Sequence, residues 1–141
     1  MQAIVMTAVG GPEVLQWRYV PMPGIQHPHQ VRVQLKAAGI NPLDTKLRKR
    51  GTYYPDRLPA ILGCDGAGVI DTVGAQVTRF NVGDAGYFCN GGIGAAPGNY
   101  AQYCVLDEHY VARKPASLDF IHAAAVPLVL LTAWEALHDR A

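Results

Sequence analysis

No two cysteines in this chain lie close enough in sequence to make a metal knuckle or a redox couple. Cys64, Cys89 and Cys104 are odd in number, widely spaced and free of any C-x-x-C pairing, a pattern that suits a reducing cytoplasm better than a disulfide framework. An excess of one charge is missing as well. Twelve Lys and Arg against eleven Asp and Glu leave a net charge of +1, which removes the electrostatic drive toward nucleic acid. Long apolar runs are also lacking: the most apolar tract, 120–134, is broken by His122 and Pro127 and is too short to span a bilayer. Residues 1–9 do not pair a basic start with a long apolar core, so no secretory leader is read there, and a soluble cytoplasmic protein is expected. Finally, no G-x-G-x-x-G follows a strand and opens a helix. Gly63–Gly68 runs G-x-x-G-x-G, and Gly92-Ile93-Gly94 lacks the third glycine and leads to Pro97.

The composition that remains is that of a globular domain. Half of the 141 residues are apolar and 16% are charged, enough apolar surface to build one core at this length. Residues 1–9 and 14–20 read as short strands around the turn Gly10-Gly11-Pro12-Glu13, a hairpin pattern. Over 30–37 the alternation is clean, with Val31, Val33, Leu35 and Ala37 on one face and Arg32, Gln34 and Lys36 on the other, as in a half-buried strand. Residues 61–73 read as a strand kinked near Gly66 and Gly68. Further strands are expected over 85–88, 100–106 and 110–113, with an exposed glycine-rich loop at 90–99. Helices are expected over 118–125 and 128–140, with Pro127 near the start of the second. Strands clustered ahead of helices indicate an α+β, mostly β arrangement around a partly open β-barrel.

The chemistry-bearing residues gather at Ala38–Asp44 and Leu62–Ile70. Pro42 at a first helical position, with Asn41 before it, reads as a helix start that runs to Arg50 and stops at Gly51. Asn41 has two readings, a helix cap with Asp44 as its capping-box acid or a polar contact to a ligand. Asp44 is likewise either a partner of the helix dipole or a group that orients a donor or water. Lys46, Arg48, Lys49 and Arg50 read as a solvated helix end or a phosphate patch. Cys64, in a glycine-rich strand without a neighbouring His, reads as packing rather than a nucleophile.

The ordered segments Val-x-Val-x-Leu-x-Ala-Ala-Gly-Ile-Asn-Pro-x-Asp, Leu-Gly-x-Asp-Gly-Ala-Gly-Val-Ile and Phe80-x-Val-Gly-Asp84 are similar to the medium-chain dehydrogenase/reductase superfamily. Tyr100-Ala101-Gln102-Tyr103, Ala123-Ala124-Ala125 and Leu131-Thr132-Ala133-Trp134 continue the likeness to the end of the chain. Within the superfamily the chain resembles the zinc-free quinone oxidoreductase branch. The resemblance implies a GroES-like, partly open barrel with short helices over 1–125, carrying the substrate site. It implies that 126–141 is a helix leading toward a Rossmann nucleotide-binding domain that these residues do not include. The chain is therefore expected to be a piece of a longer protein.

Zinc members of the superfamily hold their catalytic metal through a Cys at the position of Asn41 and a Gly-His-Glu triplet at Gly63-Cys64-Asp65. A neutral amide does not replace a thiolate on zinc. The sequence around Phe88–Gly92 offers one sulfur where a structural zinc needs several, and His27-Pro28-His29 reads as an exposed loop, so no metal is expected. The resemblance implies reduction of quinones or α,β-unsaturated carbonyls by hydride transfer from NADPH. Asn41, Asp44 and Tyr53 are the catalytic candidates it implies, and Asn41 and Thr132 the cofactor contacts. Tyr54 competes with Tyr53 for its position, and Lys46 stands where some quinone-reducing members have a tyrosine. Asp65 is read as an acceptor of backbone hydrogen bonds. Uncovered apolar side chains over 118–137 point to a homo-oligomer. The alternative is an inactive GroES-like binding or scaffold module without a cofactor site.

Overall fold

The structure is a computed structural model, and it describes residues 1–140. Eight strands form two sheets. The smaller has the order β2 (Leu15–Tyr19), β1 (Gln2–Met6), β4 (Ala60–Ile61). The larger runs β7 (Tyr103–Asp107), β3 (Gln30–Ala38), β5 (Asp65–Val73), β6 (Ala85–Cys89), β8 (Ala112–Arg113). Every pairing is antiparallel, as expected for strands joined by short connections. Residues 100–102 stitch the sheets together. The Ile4 N–H donates to the Tyr100 carbonyl at 2.8 Å, and the Leu35 N–H donates to the Gln102 carbonyl at 2.8 Å. The result is a partly open barrel, α+β and mostly β.

The alternation in β3 explains its place at the centre of the larger sheet. Val31 and Val33 are fully buried against Ile70, Phe88, Leu106 and Val111. On the opposite face the Arg32 guanidinium grips Asp71 with two bonds of 2.9 and 3.0 Å, a bidentate pair that fixes the neighbouring strand. Helix α1 (Pro42–Arg50) turns Leu47 onto Met6 and Leu62 in a second core cluster. Its last turn closes at Gly51, whose φ of 98° suits glycine and whose N–H reaches the Leu47 carbonyl at 2.9 Å. Helix α2 (Phe120–Ala124) lays Ala123 and Ala124 against Ala67, small residues that let the helix approach β5 closely.

Four sequence expectations need correction. The strand expected over 61–73 is broken at Leu62–Cys64, with Gly63 at φ 98°, and near Gly66 and Gly68 the irregularity is a register shift in the pairing with β3, between Leu35 and Ala37. Those two glycines lie within β5, where a side chain on Gly68 would strike the Gln34 carbonyl. Gly68 thus provides close strand approach, and Gly66 makes room for the Leu35 side chain and the Phe88 ring. The loop 90–99 is exposed only at its tip, Ala95–Pro97, while Gly92, Gly94, Gly98 and Asn99 are buried. Its glycines are there to pack against Gly63 and Thr52. The strand expected over 100–106 begins at Tyr103, because residues 100–102 serve as the bridge between sheets. The last helix, α3 (Pro127–Trp134), gives way to a π-turn over Glu135–Asp139.

Candidate functional site

Three segments meet where β3 ends. Asn41 has extended backbone (φ −115°, ψ 155°) and precedes Pro42, whose fixed φ opens α1. The Asn41 N–H donates to Asp44 Oδ2 at 2.7 Å, the acid half of a capping box. The Tyr100 hydroxyl donates to the same oxygen at 2.8 Å. Asp44 Oδ1 is buried and has no hydrogen-bond partner among the described residues.

Asp65, 1% exposed at the start of β5, joins this network from the other side. Its Oδ2 accepts from Asn41 Nδ2 at 2.9 Å, and its Oδ1 accepts from the Leu128 backbone N–H at 3.0 Å. Its carbonyl accepts from the Gly39 N–H at 3.1 Å. Gly39 has to lack a side chain, because a Cβ there would sit 2.5 Å from the Ala124 carbonyl and 2.9 Å from the Asp65 Cβ.

Cys64 is buried beside both carboxylates. Burial, followed by the charges of Asp44 and Asp65, pushes its thiol up to about 11, the opposite of what a thiolate nucleophile requires. The Cys64 carbonyl is held by the Asn90 N–H and by Asn99 Nδ2, each at 2.8 Å. Cys89 lies across the ladder from Asp65, and burial, with Asp65 and Cys64 adding to it, pushes it up to about 12. The Tyr100 hydroxyl is driven well above its ordinary range by burial and by its bond to Asp44.

Asn41 and Asp44 are therefore brought together, and Asn41 is a cap and a side-chain donor at once. Tyr53 is 68% exposed, and among the described residues its hydroxyl bonds to none of Asn41, Asp44, Asp65 or Tyr100. The neighbouring Tyr54 ring is covered by Arg57, 5.3 Å from its centroid. Thr132 lies exposed on α3 and donates its hydroxyl to the Leu128 carbonyl at 2.8 Å. Asp65 accepts a backbone hydrogen bond as expected, but also a side-chain one that sequence reasoning did not foresee. Tyr100 and Asn99 were missed. Tyr100 stands inside a motif quoted above for its resemblance alone, and Asn99 carries no local signal of burial.

Beyond the network, α3 presents Val129, Leu130, Leu131 and Trp134 to solvent, each at least half exposed. A groove of about 360 Å³ runs between Leu130, Leu131 and Trp134 on this helix and Tyr87 and Phe88 on β6, with Tyr110 from the turn before β8. Among the described residues, no helix is long and apolar enough to cross a membrane.

This architecture, with residues 27–116 matching the alcohol dehydrogenase GroES-like domain, places the chain in that family and in the medium-chain dehydrogenase/reductase superfamily. It is 44% identical over 131 residues to a quinone oxidoreductase of Pseudomonas aeruginosa, an alignment covering 92% of this chain and 38% of that protein. An alcohol dehydrogenase superfamily protein from Novosphingobium aromaticivorans superposes with a TM-score of 0.90 at 43% identity, over 100% of this chain and 42% of that one. The Escherichia coli quinone oxidoreductase crystallised with NADPH gives 0.86 at 33% identity, over 99% and 41%. The chain thus spans well under half the length of the curated relatives it matches.

Proposed function

We propose that residues 1–125 form the substrate-side domain of an NADPH-dependent oxidoreductase that reduces quinones or α,β-unsaturated carbonyls without zinc, with 126–141 leading toward a nucleotide-binding domain. The observation that carries this reading is the side chain of Asn41. It stands where zinc-dependent members place a thiolate, and it is oriented as a hydrogen-bond donor by Asp65 at 2.9 Å. The donor set does not suit zinc. It consists of a neutral amide, a single thiol, and two carboxylates whose oxygens already serve other partners, apart from Asp44 Oδ1. Among the described residues no three His, Cys, Asp or Glu side chains converge where a metal could sit.

Hydride addition to a quinone or enone leaves negative charge on the carbonyl oxygen, and donors aimed at that oxygen lower the barrier. When bound, the nicotinamide supplies the hydride. One N–H of the Asn41 carboxamide is committed to Asp65, and the second remains for substrate or for the carboxamide of the nicotinamide. Thr132 and Asn41 fit such a group as hydroxyl and amide partners. The exposed hydroxyl of Tyr53 is free to donate from a loop once substrate is bound, and Asp44 holds the Asn41 backbone in place. A soluble cytoplasmic enzyme acting on small molecules, assembled as a homo-oligomer, fits these properties. The test is to express the complete reading frame that encodes this domain and follow NADPH oxidation over a panel of quinones and enones. Turnover that falls roughly 100-fold in Asn41→Ala is expected, and no turnover on any substrate would sink the reading.

A second reading is a GroES-like binding or scaffold module without activity. Titration of the protein expressed from the complete reading frame with NADPH separates the two. Saturable micromolar binding, about −8 kcal/mol, would contradict the module.

A further inference from the structure

Asp65 is a fully buried carboxylate with two partners in different parts of the fold. One oxygen receives the Asn41 side chain and the other the backbone of Leu128, the second residue of α3. The Leu128 carbonyl in turn receives the Thr132 hydroxyl. Hydrogen bonds therefore join Asn41 to Asp65 and Asp65 to the Leu128 N–H, and the backbone of Leu128 carries the link on to the carbonyl that receives Thr132. We propose that Asp65 is a positioning residue that fixes the rotation of the Asn41 carboxamide and yokes it to the first turn of α3. The two groups read above as meeting substrate and cofactor then move as one unit.

The chemistry of the three groups carries this. A carboxamide is ambiguous, since its oxygen and nitrogen ends differ little in shape but are opposite in hydrogen bonding. A carboxylate accepts only, so it forces the NH₂ end of Asn41 toward itself, turns the amide oxygen toward the first turn of α1 that Asn41 caps, and leaves one N–H for a ligand. A carboxylate also accepts on both oxygens at once. An amide in its place has one acceptor and would set its NH₂ against one of the two N–H groups, breaking either the Asn41 bond or the Leu128 bond. Leu128 N–H belongs to the first turn of α3, where no carbonyl of the helix can receive it. Asp65 therefore also fixes where α3 begins. Its own backbone is pinned by the Gly39 N–H, so the carboxylate has little freedom to follow a displaced partner.

The inference rests on the reading that Asn41 faces substrate, yet its physical content can be checked without turnover. In the unsubstituted 141-residue chain, trans-hydrogen-bond NMR couplings are expected from Asn41 Nδ2 and from Leu128 N to the Asp65 carboxyl carbon. The two Asn41 NH₂ protons should be widely separated and slow to exchange. In Asp65→Asn the separation collapses or the Leu128 amide exchanges at least 10-fold faster, while Val33 in β3 keeps its protection. In Asn41→Ala, which leaves Asp65 free to shift, Leu128 exchange also rises by a few fold. Unaltered Leu128 exchange in Asn41→Ala would show two independent bonds and overturn the yoke. Missing couplings in the unsubstituted chain would overturn it even if Asp65→Asn does not fold. A failure of the NADPH assay with these signals intact would count against the enzymatic reading and leave the positioning role standing.

Discussion

Tyr100 and Asp44, 56 residues apart, are joined by a 2.8 Å hydrogen bond from the phenol to a buried carboxylate oxygen. The bond ties the segment that bridges the two sheets to the first turn of α1, the turn that presents Asn41. The same oxygen also holds the Asn41 N–H, while its twin is left with no partner among the described residues. Asp44 is thus under-bonded on one side, and the Tyr100 contact is the one that a substitution can remove most cleanly.

Tyr100→Phe keeps the ring against Met6 and Leu62 and deletes the donor alone. The expected cost is about 1–2 kcal/mol, read as a shift in the urea midpoint at an unchanged slope. A shift below a few tenths of a kcal/mol would mean that water replaces the phenol at no cost and that the network is not closed. Turnover in the complete enzyme should fall less than in Asn41→Ala, since Tyr100 acts through Asp44 and not on the reacting atoms.

How much of this was legible beforehand depended on range. The alternation over β3, the Asn41–Pro42 helix start and the Gly51 stop are local signals, each written in adjacent residues, and each took the form expected. Asp65 meets Asn41 24 residues away and Leu128 63 away, and no periodicity records a side chain that bridges distant segments. Gly66 and Gly68 suggested a bend because glycine weakens a strand. Gly68 admits the Gln34 and Leu35 backbone and Gly66 the Leu35 side chain and Phe88 ring, contacts that exist only once β3, β5 and β6 are paired. Gly63 carries the break because its positive φ and the Tyr100 ring both exclude a side chain there.

The three thiols give a chemical prediction. Burial holds Cys104 up to about 12, with Cys64 at about 11 and Cys89 at about 12, so all should remain protonated near pH 8. A disulfide reagent should label none of them rapidly in the folded chain and three after denaturation. A single fast thiol at neutral pH would show that a nucleophile has been overlooked. Since these values lie above the ordinary 9.0, the stability they carry is complete below pH 9 and is lost as pH rises through 11 to 12.

Acid should act through Glu108, 1% exposed, which caps the turn at Thr78 and Arg79. Its oxygens accept their backbone N–H groups at 3.1 and 2.7 Å. Burial works against the charge, but these amides and His29 outweigh it and hold the carboxyl below its ordinary 4.5. A depressed value in the folded state means that the folded protein binds fewer protons than the unfolded chain in acid. The stability it contributes is therefore present above pH 4.5 and is lost as pH falls through the lower folded value. Glu108→Gln should unfold more easily at pH 7 and show a flatter decline between pH 5 and 3 than the unsubstituted chain. Parallel declines would place the acid sensitivity elsewhere.

The exposed side of α3 sets the behaviour of the isolated domain. Leu130, Trp134 and Leu137 are 58, 61 and 69% exposed, and Leu130 and Trp134 also wall the groove above β6. Large apolar side chains clustered this densely on one short element are rare on monomers. Covering one such side chain is worth roughly 2 kcal/mol, so a few together can hold two copies at micromolar concentration once the cost of association is met. Light scattering on the 141-residue chain should show self-association that rises with concentration and is abolished by Trp134→Glu with Leu130→Lys. Those substitutions touch none of Asn41, Asp44, Asp65 or Tyr100, so the far-UV spectrum should stay unchanged, and the urea midpoint should match that of the unsubstituted chain at concentrations too low for association. A monodisperse monomer at high concentration would show that this face is tolerated in water. The domain would then need no partner to cover α3.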